Sequence, residues 1–478
     1  MAYIDITASQ LNVSKQKIQE KYMKIELLNH NFQVVDTLEG VTLNGSITID
    51  ANSDIRRNAT LKFAIINSSF EVESGGKIWL DKYIRLYYGI YSLLENEIIY
   101  TKLGTFVLDA PSYEYDRTNN SVQVSLLDLM SKLTGLRNGY LPGIPTLIPM
   151  GTNIRDAIIS TLALGGFTRY VCDEAPDPGV VPEDLTFNQG ATIYTVLSGL
   201  RDIYPNYEMY FDVDGVFHYN PIPNGVNEPI QIDDSLWKNI VVSENITVDF
   251  QNVKNYIEVY GRTHNPAHFS TNTTVSTNNI NLTIANVTDY EDGIIYGFTL
   301  SNVSELTNLQ LRINNLSYRN VLLDDGSFST IMPESGEIYY CVQYVENAGG
   351  TPYWRWLGHL QAYAVAEDDN PESPFYVNGT IGVIRLPLYG GDYDNCITDE
   401  LALQRAKYEL YLHSQMQNSI TISCVSVPWL DVNTLVEYTL NRNNQKDKYI
   451  IKSISYGFDV DDFMQVNMIK FYPDYIII

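Results

Sequence analysis

Six histidines, four cysteines and 57 acidic residues are the groups with which this sequence could do acid–base, metal or nucleophilic chemistry. His264 and His268 have the HxxxH spacing that lets two imidazoles on one helix face share a metal. Pro266 lies between them and no acidic residue adjoins them, so the spacing reads as chance. Cys172 beside Asp173 would be a thiol nucleophile only with a base at hand, and no local signature of that chemistry surrounds it. Cys172, Cys341, Cys396 and Cys424 include no CxxC pair, which predicts separate buried thiols rather than a disulfide framework or a metal knot. Glu95 with Glu97, and Asp392 with Asp394, have the types needed for paired-carboxylate work, yet they fall in turns where solvated acids are ordinary. The acidic turns Glu367–Asp369 and Asp459–Asp462 offer oxygen ligands for calcium without the loop spacing of an EF-hand. The sequence contains no GxxxxGK[ST], no GxGxxG after a strand, no GxSxG and no HExxH. The expectation is a non-enzyme with no catalytic residue, no cofactor and no metal. One further stretch, Tyr353-Trp354-Arg355-Trp356, is read as core aromatics on opposite faces of a hairpin flanking Arg355, with sugar stacking as the alternative.

The bulk composition narrows the class. In 478 residues there are 57 acidic against 31 basic ones, a net charge of -26, and no basic run. Gripping a nucleic-acid backbone needs clustered Lys and Arg, so sequence-specific nucleic-acid binding is excluded. An acidic surface suits solubility, and also a wall past which DNA slides without sticking. The 36 tyrosines suit strands and interfaces, because the ring packs while the hydroxyl stays wet. No stretch approaches the ~20 apolar residues of a membrane span, and the N-terminus lacks the apolar core of a signal peptide. Synthesis in the host cytoplasm is expected.

The elements that must position these residues are mostly strands. Thr60–Ile65 alternates Leu61, Phe63 and Ile65 with Thr60, Lys62 and Ala64, and Lys82–Tyr91 and Ser121–Leu126 repeat the pattern. Lys24–Leu28 and Phe32–Val35 flank a turn at Asn29-His30-Asn31, and Thr42–Asp50 carries Gly45 as a bulge or turn. Tyr100–Leu108, Tyr113–Tyr115, Tyr207–Phe211, Val216–Tyr219 and Asn255–Gly261 read as strands. So do Ser419–Val425, Thr434–Tyr438, Tyr449–Tyr456 and Gln465–Phe471. Helical period is predicted at Leu126–Leu136, Asn153–Leu164 (ended by Gly165-Gly166) and Ala191–Tyr204 (ended by Pro205). A further helix is predicted at 398–415, with Thr398 as N-cap and Leu403, Ala406 and Leu410 on one face. Residues 264–380 are rich in Asn, Thr and Ser, with breaks at Asp325-Gly326 and Gly349-Gly350. The fold class is mainly β with some α: a multi-domain β-barrel protein with short helical segments and an inserted β-module. The expected units are an N-terminal arm (1–20), a first β-barrel domain (21–135), a helical connector (136–206), the first part of a second β-domain (207–263), an inserted β-module (264–380), and the C-terminal part of the second β-domain (381–478).

The order of these elements resembles the baseplate hub proteins of phage tails and related bacteriocin particles, especially contractile ones of Gram-positive hosts and their prophages. The resemblance rests on RNATLKF (57–63), KYIRLYYGIY (82–91), GTFVL (104–108), SVQVSLLDLMSKL (121–133), NYIEVYGR (255–262), ALQRAKYELYL (402–412) and YIIKSISY (449–456). It covers the chain except 264–380. It implies a homotrimer with two barrel-like domains per subunit, adapting a sixfold tail tube to a threefold spike. The implied partners are the tail tube or distal tail protein, the central spike or tail-tip protein and other baseplate proteins. The implied location is the virion tail. Two alternatives accompany it: the structural front part of a tail-associated lysin, and a carbohydrate-binding tail adhesin.

Overall fold

The computed structural model describes residues 6–115, 120–143, 146–176, 179–182, 184–204, 206–222, 232, 234–346, 350–414, 417–459 and 461–471. The start of the N-terminal arm, part of the 141–149 and 173–182 loops, the break at Gly349 and the stop at Pro205 lie outside these residues, as does position 415 at the end of the last predicted helix.

Alternation builds the largest element. Twelve described strands pair antiparallel into one sheet. Along it run Val241–Asp249, Gln417–Cys424, Met464–Lys470, Lys446–Gly457, Thr42–Asp50, Arg57–Ala64, Asn120–Asp128, Glu97–Tyr115, Tyr83–Ser92, Lys21–Leu28 and Val34–Glu39, with Leu435–Thr439 branching off Lys446–Gly457. N-terminal and C-terminal strands therefore meet edge to edge. The join is the register Asp50 to Ser453 through Ser46 to Gly457. One hydrophobic core lies under both halves, containing Leu61, Leu86 and Val124 from the first and Ile420, Ile454 and Met468 from the second. The short helix Asp234–Ile240 drives Trp237 into it. Gly45 is required near the join, since a Cβ there would lie 2.4 Å from the Thr60 carbonyl and 2.8 Å from Phe458.

Helices Ile154–Leu164 and Ile193–Arg201 begin at side-chain caps, Asn153 accepting from the Asp156 amide and Thr192 from the Thr195 amide. They share a second core with the small sheet Tyr207–Phe211, Phe217–Pro221 and Tyr170–Cys172. The helical period predicted at Leu126–Leu136 is not realised. The strand runs on to Asp128, whose carboxylate accepts from the Arg57 amide across the sheet and from the Met130 amide, each at 2.9 Å. Only the 3-10 turn Leu129–Lys132 follows. A polar residue bonding its neighbours' backbone favours a turn over a continuing helix.

The described strands of 264–380 fall in three sheets, one of them only the short pair Leu306–Thr307 and Thr330–Ile331. Eight strands from His268–Phe269 to Tyr353–His359 form one sheet with its own core. Gln361–Glu367 instead pairs antiparallel with Tyr256–Thr263, which also pairs in parallel with Arg385–Tyr389. Helix Asp399–His413 covers that three-stranded sheet, capped by Thr398 as expected. Its buried residues are Ala402, Ala406 and Glu409, and Leu410 packs partly buried against the same core. Glu409 turns inward to accept from Arg405 Nε at 2.9 Å and Tyr393 Oη at 3.2 Å. No helix among the described residues is long and apolar enough to cross a membrane.

Candidate functional site

The four thiols are free and buried. Burial pushes Cys172, Cys341 and Cys424 up to about 12 and Cys396 up to about 11, so none is a thiolate at neutral pH. His264 is buried, its amide donating to the Leu360 carbonyl at 2.8 Å, while His268 stacks on Tyr296 at 5.5 Å. Among the described residues, no three His, Cys, Asp or Glu side chains converge as a metal would require. Glu95, Glu97, Asp392 and Asp394 are exposed. In the Asp459–Asp462 turn the cation is a lysine: Lys21 Nζ donates to the carbonyls of Asp459 at 2.7 Å and Asp462 at 2.6 Å. In the Glu367–Asp369 turn, Asp368 accepts from Ser373 Oγ at 2.5 Å.

Trp354 and Trp356 lie on one face of their strand, two residues apart, and not on opposite faces. Both belong to the core of the eight-stranded sheet, at 0% and 7% exposure. Trp354 Nε1 donates to the Leu311 carbonyl at 3.0 Å and its ring packs edge-on against Tyr290 and Tyr296. Neither ring is free to stack on a sugar. Arg355 points the other way, onto Asp324.

A buried polar junction was not legible from spacing. Arg56 pairs with Glu208 and its guanidinium lies 3.9 Å from the Tyr210 ring centre, while Arg57 pairs with Asp431 and donates to the Phe211 carbonyl at 2.6 Å. Asn433 donates to Glu208 at 2.5 Å and accepts from Lys452 at 3.1 Å. Lys452 is the extra residue of a bulge between Ile451 and Ser453, and burial pushes its amine down to about 8. Arg56, Glu208, Asn433 and Lys452 border a cleft of about 600 Å³. These groups come from 56–57, 208–211 and 431–452, so the junction ties the long sheet, the small-sheet strand Tyr207–Phe211 and the C-terminal segment together. Its ion pairs are Arg56–Glu208 and Arg57–Asp431.

Among the described residues the long sheet does not close on itself; its path ends at Val34–Glu39 on one side and Val241–Asp249 on the other. Each edge starts with an apolar doublet, Val34-Val35 and Val241-Val242. Val34, Val35, Val242 and Val248 are 41–58% exposed, and neighbouring Phe250 is 73% exposed. An edge strand presents unpaired N–H and C=O groups, and natural proteins usually blunt it with charge, proline or cover. Apolar residues on an open edge instead fit pairing with another chain. The doublets were the available sequence signal, because they break alternation where one face ought to be wet.

A family model described as a domain of unknown function (DUF5048) matches residues 372–475. No curated protein matches the chain. Among solved structures, the 43 kDa tail protein of prophage MuSo2 from Shewanella oneidensis superposes with a TM-score of 0.50 at 10% identity, over 94% of this chain and 98% of that one. A tail protein from Neisseria meningitidis MC58 gives 0.51 at 9% identity, over 95% and 98%. The chain has the fold of these phage tail proteins along nearly its whole length, and the likeness reaches through the 264–380 stretch that the sequence resemblance left out.

Proposed function

We propose that this chain is a structural hub of a phage-tail or tail-like baseplate, and that it works as a homotrimer joining a sixfold tail tube to a threefold spike. The observation that carries the reading is the long sheet. Two groups of strands, one from 21–128 and one from 241–249 and 417–470, stand side by side on a single core, with an open apolar edge at either end. Three copies joined edge to edge, Val34–Glu39 of one against Val241–Asp249 of the next, give six strand groups around one axis. Such a head-to-tail contact closes into a ring when its rotation is a third of a turn. The tail-protein fold supports the same role. Tube, spike or tail-tip, and other baseplate proteins are the partners this role requires, in the virion tail. The net charge of -26 suits a wall beside passing DNA.

Light scattering behind a sizing column tests the trimer. The expected mass is three times the 54.3 kDa of one chain. Val35→Pro, which puts a proline on the exposed edge at a residue outside the paired register, is expected to give monomers with unchanged circular dichroism. A trimer indifferent to Val35→Pro and to Val242→Lys would show that the edges are not the contact.

A further inference from the structure

Residues 265–360 leave the body after Thr263-His264 and return at Gln361, and Thr263 and Gln361 face each other across a β-pair. The His264 amide donating to the Leu360 carbonyl at 2.8 Å continues this neck. Beyond it the eight-stranded sheet has a core drawn from 280–356 alone, while the three-stranded sheet beneath has another. Among the described residues, no hydrophobic core joins the two. Between them is a cleft of about 180 Å³ lined in part by Val181, Pro182, Asp324, Tyr353, Arg355 and Leu401.

Polar attachments cross this boundary. Arg355, 5% exposed and held from behind by both oxygens of Asp324 at 2.6 and 2.9 Å, donates to the Pro182 carbonyl and lies 3.4 Å from Met150 Sδ. His359 meets Asp399, in the first turn of helix Asp399–His413, twice: Nδ1 at 2.7 Å and its amide at 3.0 Å, both to Oδ2. Its Nε2 lies 3.2 Å from Glu334. The other Asp399 oxygen accepts from the Tyr363 amide at 2.9 Å. Gly358, at φ +88°, leaves room for the carboxylate, since a Cβ there would stand 2.0 Å from Asp399 Oδ2.

We propose that residues 265–360 form a latched arm, which pivots about the Thr263–Gln361 neck when the His359–Asp399 and Arg355–Pro182 attachments are broken. A segment that keeps its own core and is held to the body by a few charged contacts can open as a unit at low cost. The His359 contact is also sensitive to protons. Burial disfavours the imidazolium, but Asp399 and Glu334 outweigh burial and push it up to about 9. With the folded value above the ordinary 6.5, the ionic contribution is complete below about 6.5 and is lost as pH rises through about 9. The other groups facing this contact do not titrate with it: burial raises Tyr340 and Tyr363, pushes Cys341 up to about 12, and lowers His264 so that it stays neutral.

Hydrogen exchange on the full chain tests the latch. In the double variant His359→Ala, Arg355→Met, the amide of residue 359 is expected to exchange at least tenfold faster. Strands Ile295–Val303 and Glu334–Val345 are expected to keep their protection, and the radius of gyration to grow. The wild type taken from pH 7 to pH 10, corrected for intrinsic rates, is expected to show the same local change, and serves if the variant does not fold. Unchanged exchange at 359 in both experiments would overturn the proposal. So would loss of protection throughout 265–360, because the attachments would then belong to the arm's own fold.

Discussion

Arg56, just before strand Arg57–Ala64, and Arg57, its first residue, are neighbours in sequence yet satisfy different partners. Arg56 reaches Glu208; Arg57 reaches Asp431 and Phe211. Breaking a buried ion pair by removing one partner leaves the other uncompensated. Arg57→Met is therefore expected to cost about 3 kcal/mol, the lower end of the usual range because Asp431 keeps a quarter of its side-chain exposure; urea unfolding measures it, and a loss below about 1 kcal/mol would contradict the pairing. Asp128 is the pH-sensitive member of this neighbourhood. Burial raises its carboxyl to about 6 against the ordinary 3.8, despite the amides of Arg57 and Met130. A raised acid contributes stability that is full below about 3.8 and lost as pH rises through about 6. Asp128→Asn removes that loss, so the variant is expected to gain on the wild type by up to about 3 kcal/mol between pH 4 and pH 7. A difference flat with pH would show that Asp128 is ionised in the fold at little cost.

At the scale of elements, the eight-stranded sheet owes its core to Trp354, fully buried and ringed by Tyr290, Tyr296 and Tyr344. Trp354→Ala is expected to destabilise this sheet by about 3–5 kcal/mol. Proteolysis is expected to cut within 265–360 while the mass of the assembled protein stays that of a trimer. Dissociation would mean that this module carries the subunit contact. Strands such as Thr42–Asp50 and Tyr207–Phe211 were legible in the sequence because alternation and turn residues are local. Helix Asp399–His413 was legible from its cap, and Ala406 and Leu410 of the predicted face lie against its core, but the burial of Glu409 was not legible, since its bond with Tyr393 depends on a residue outside the helix. The Leu126–Leu136 stretch misread for the same reason: Asp128 is claimed by Arg57, 71 positions away. The apolar doublets of the edge strands were visible, but only the pairing order reveals that they are edges.

At the scale of the whole molecule, the fold is built from a sheet that unites both ends of the chain, a helical connector packed beneath it, and a module with its own core. The four thiols are free and buried, and buried polar groups such as Arg56, Arg57 and Glu208 hold elements together. Among the described residues the long sheet ends in two open edges, Val34–Glu39 and Val241–Asp249, and in the proposed trimer these edges meet between copies. Electron microscopy of the purified protein, classified without imposed symmetry, tests this most directly. The predicted result is a closed ring of three subunits with six strand groups around a central opening. A twofold dimer, or a ring in which Val34–Glu39 and Val241–Asp249 both face solvent, would contradict it.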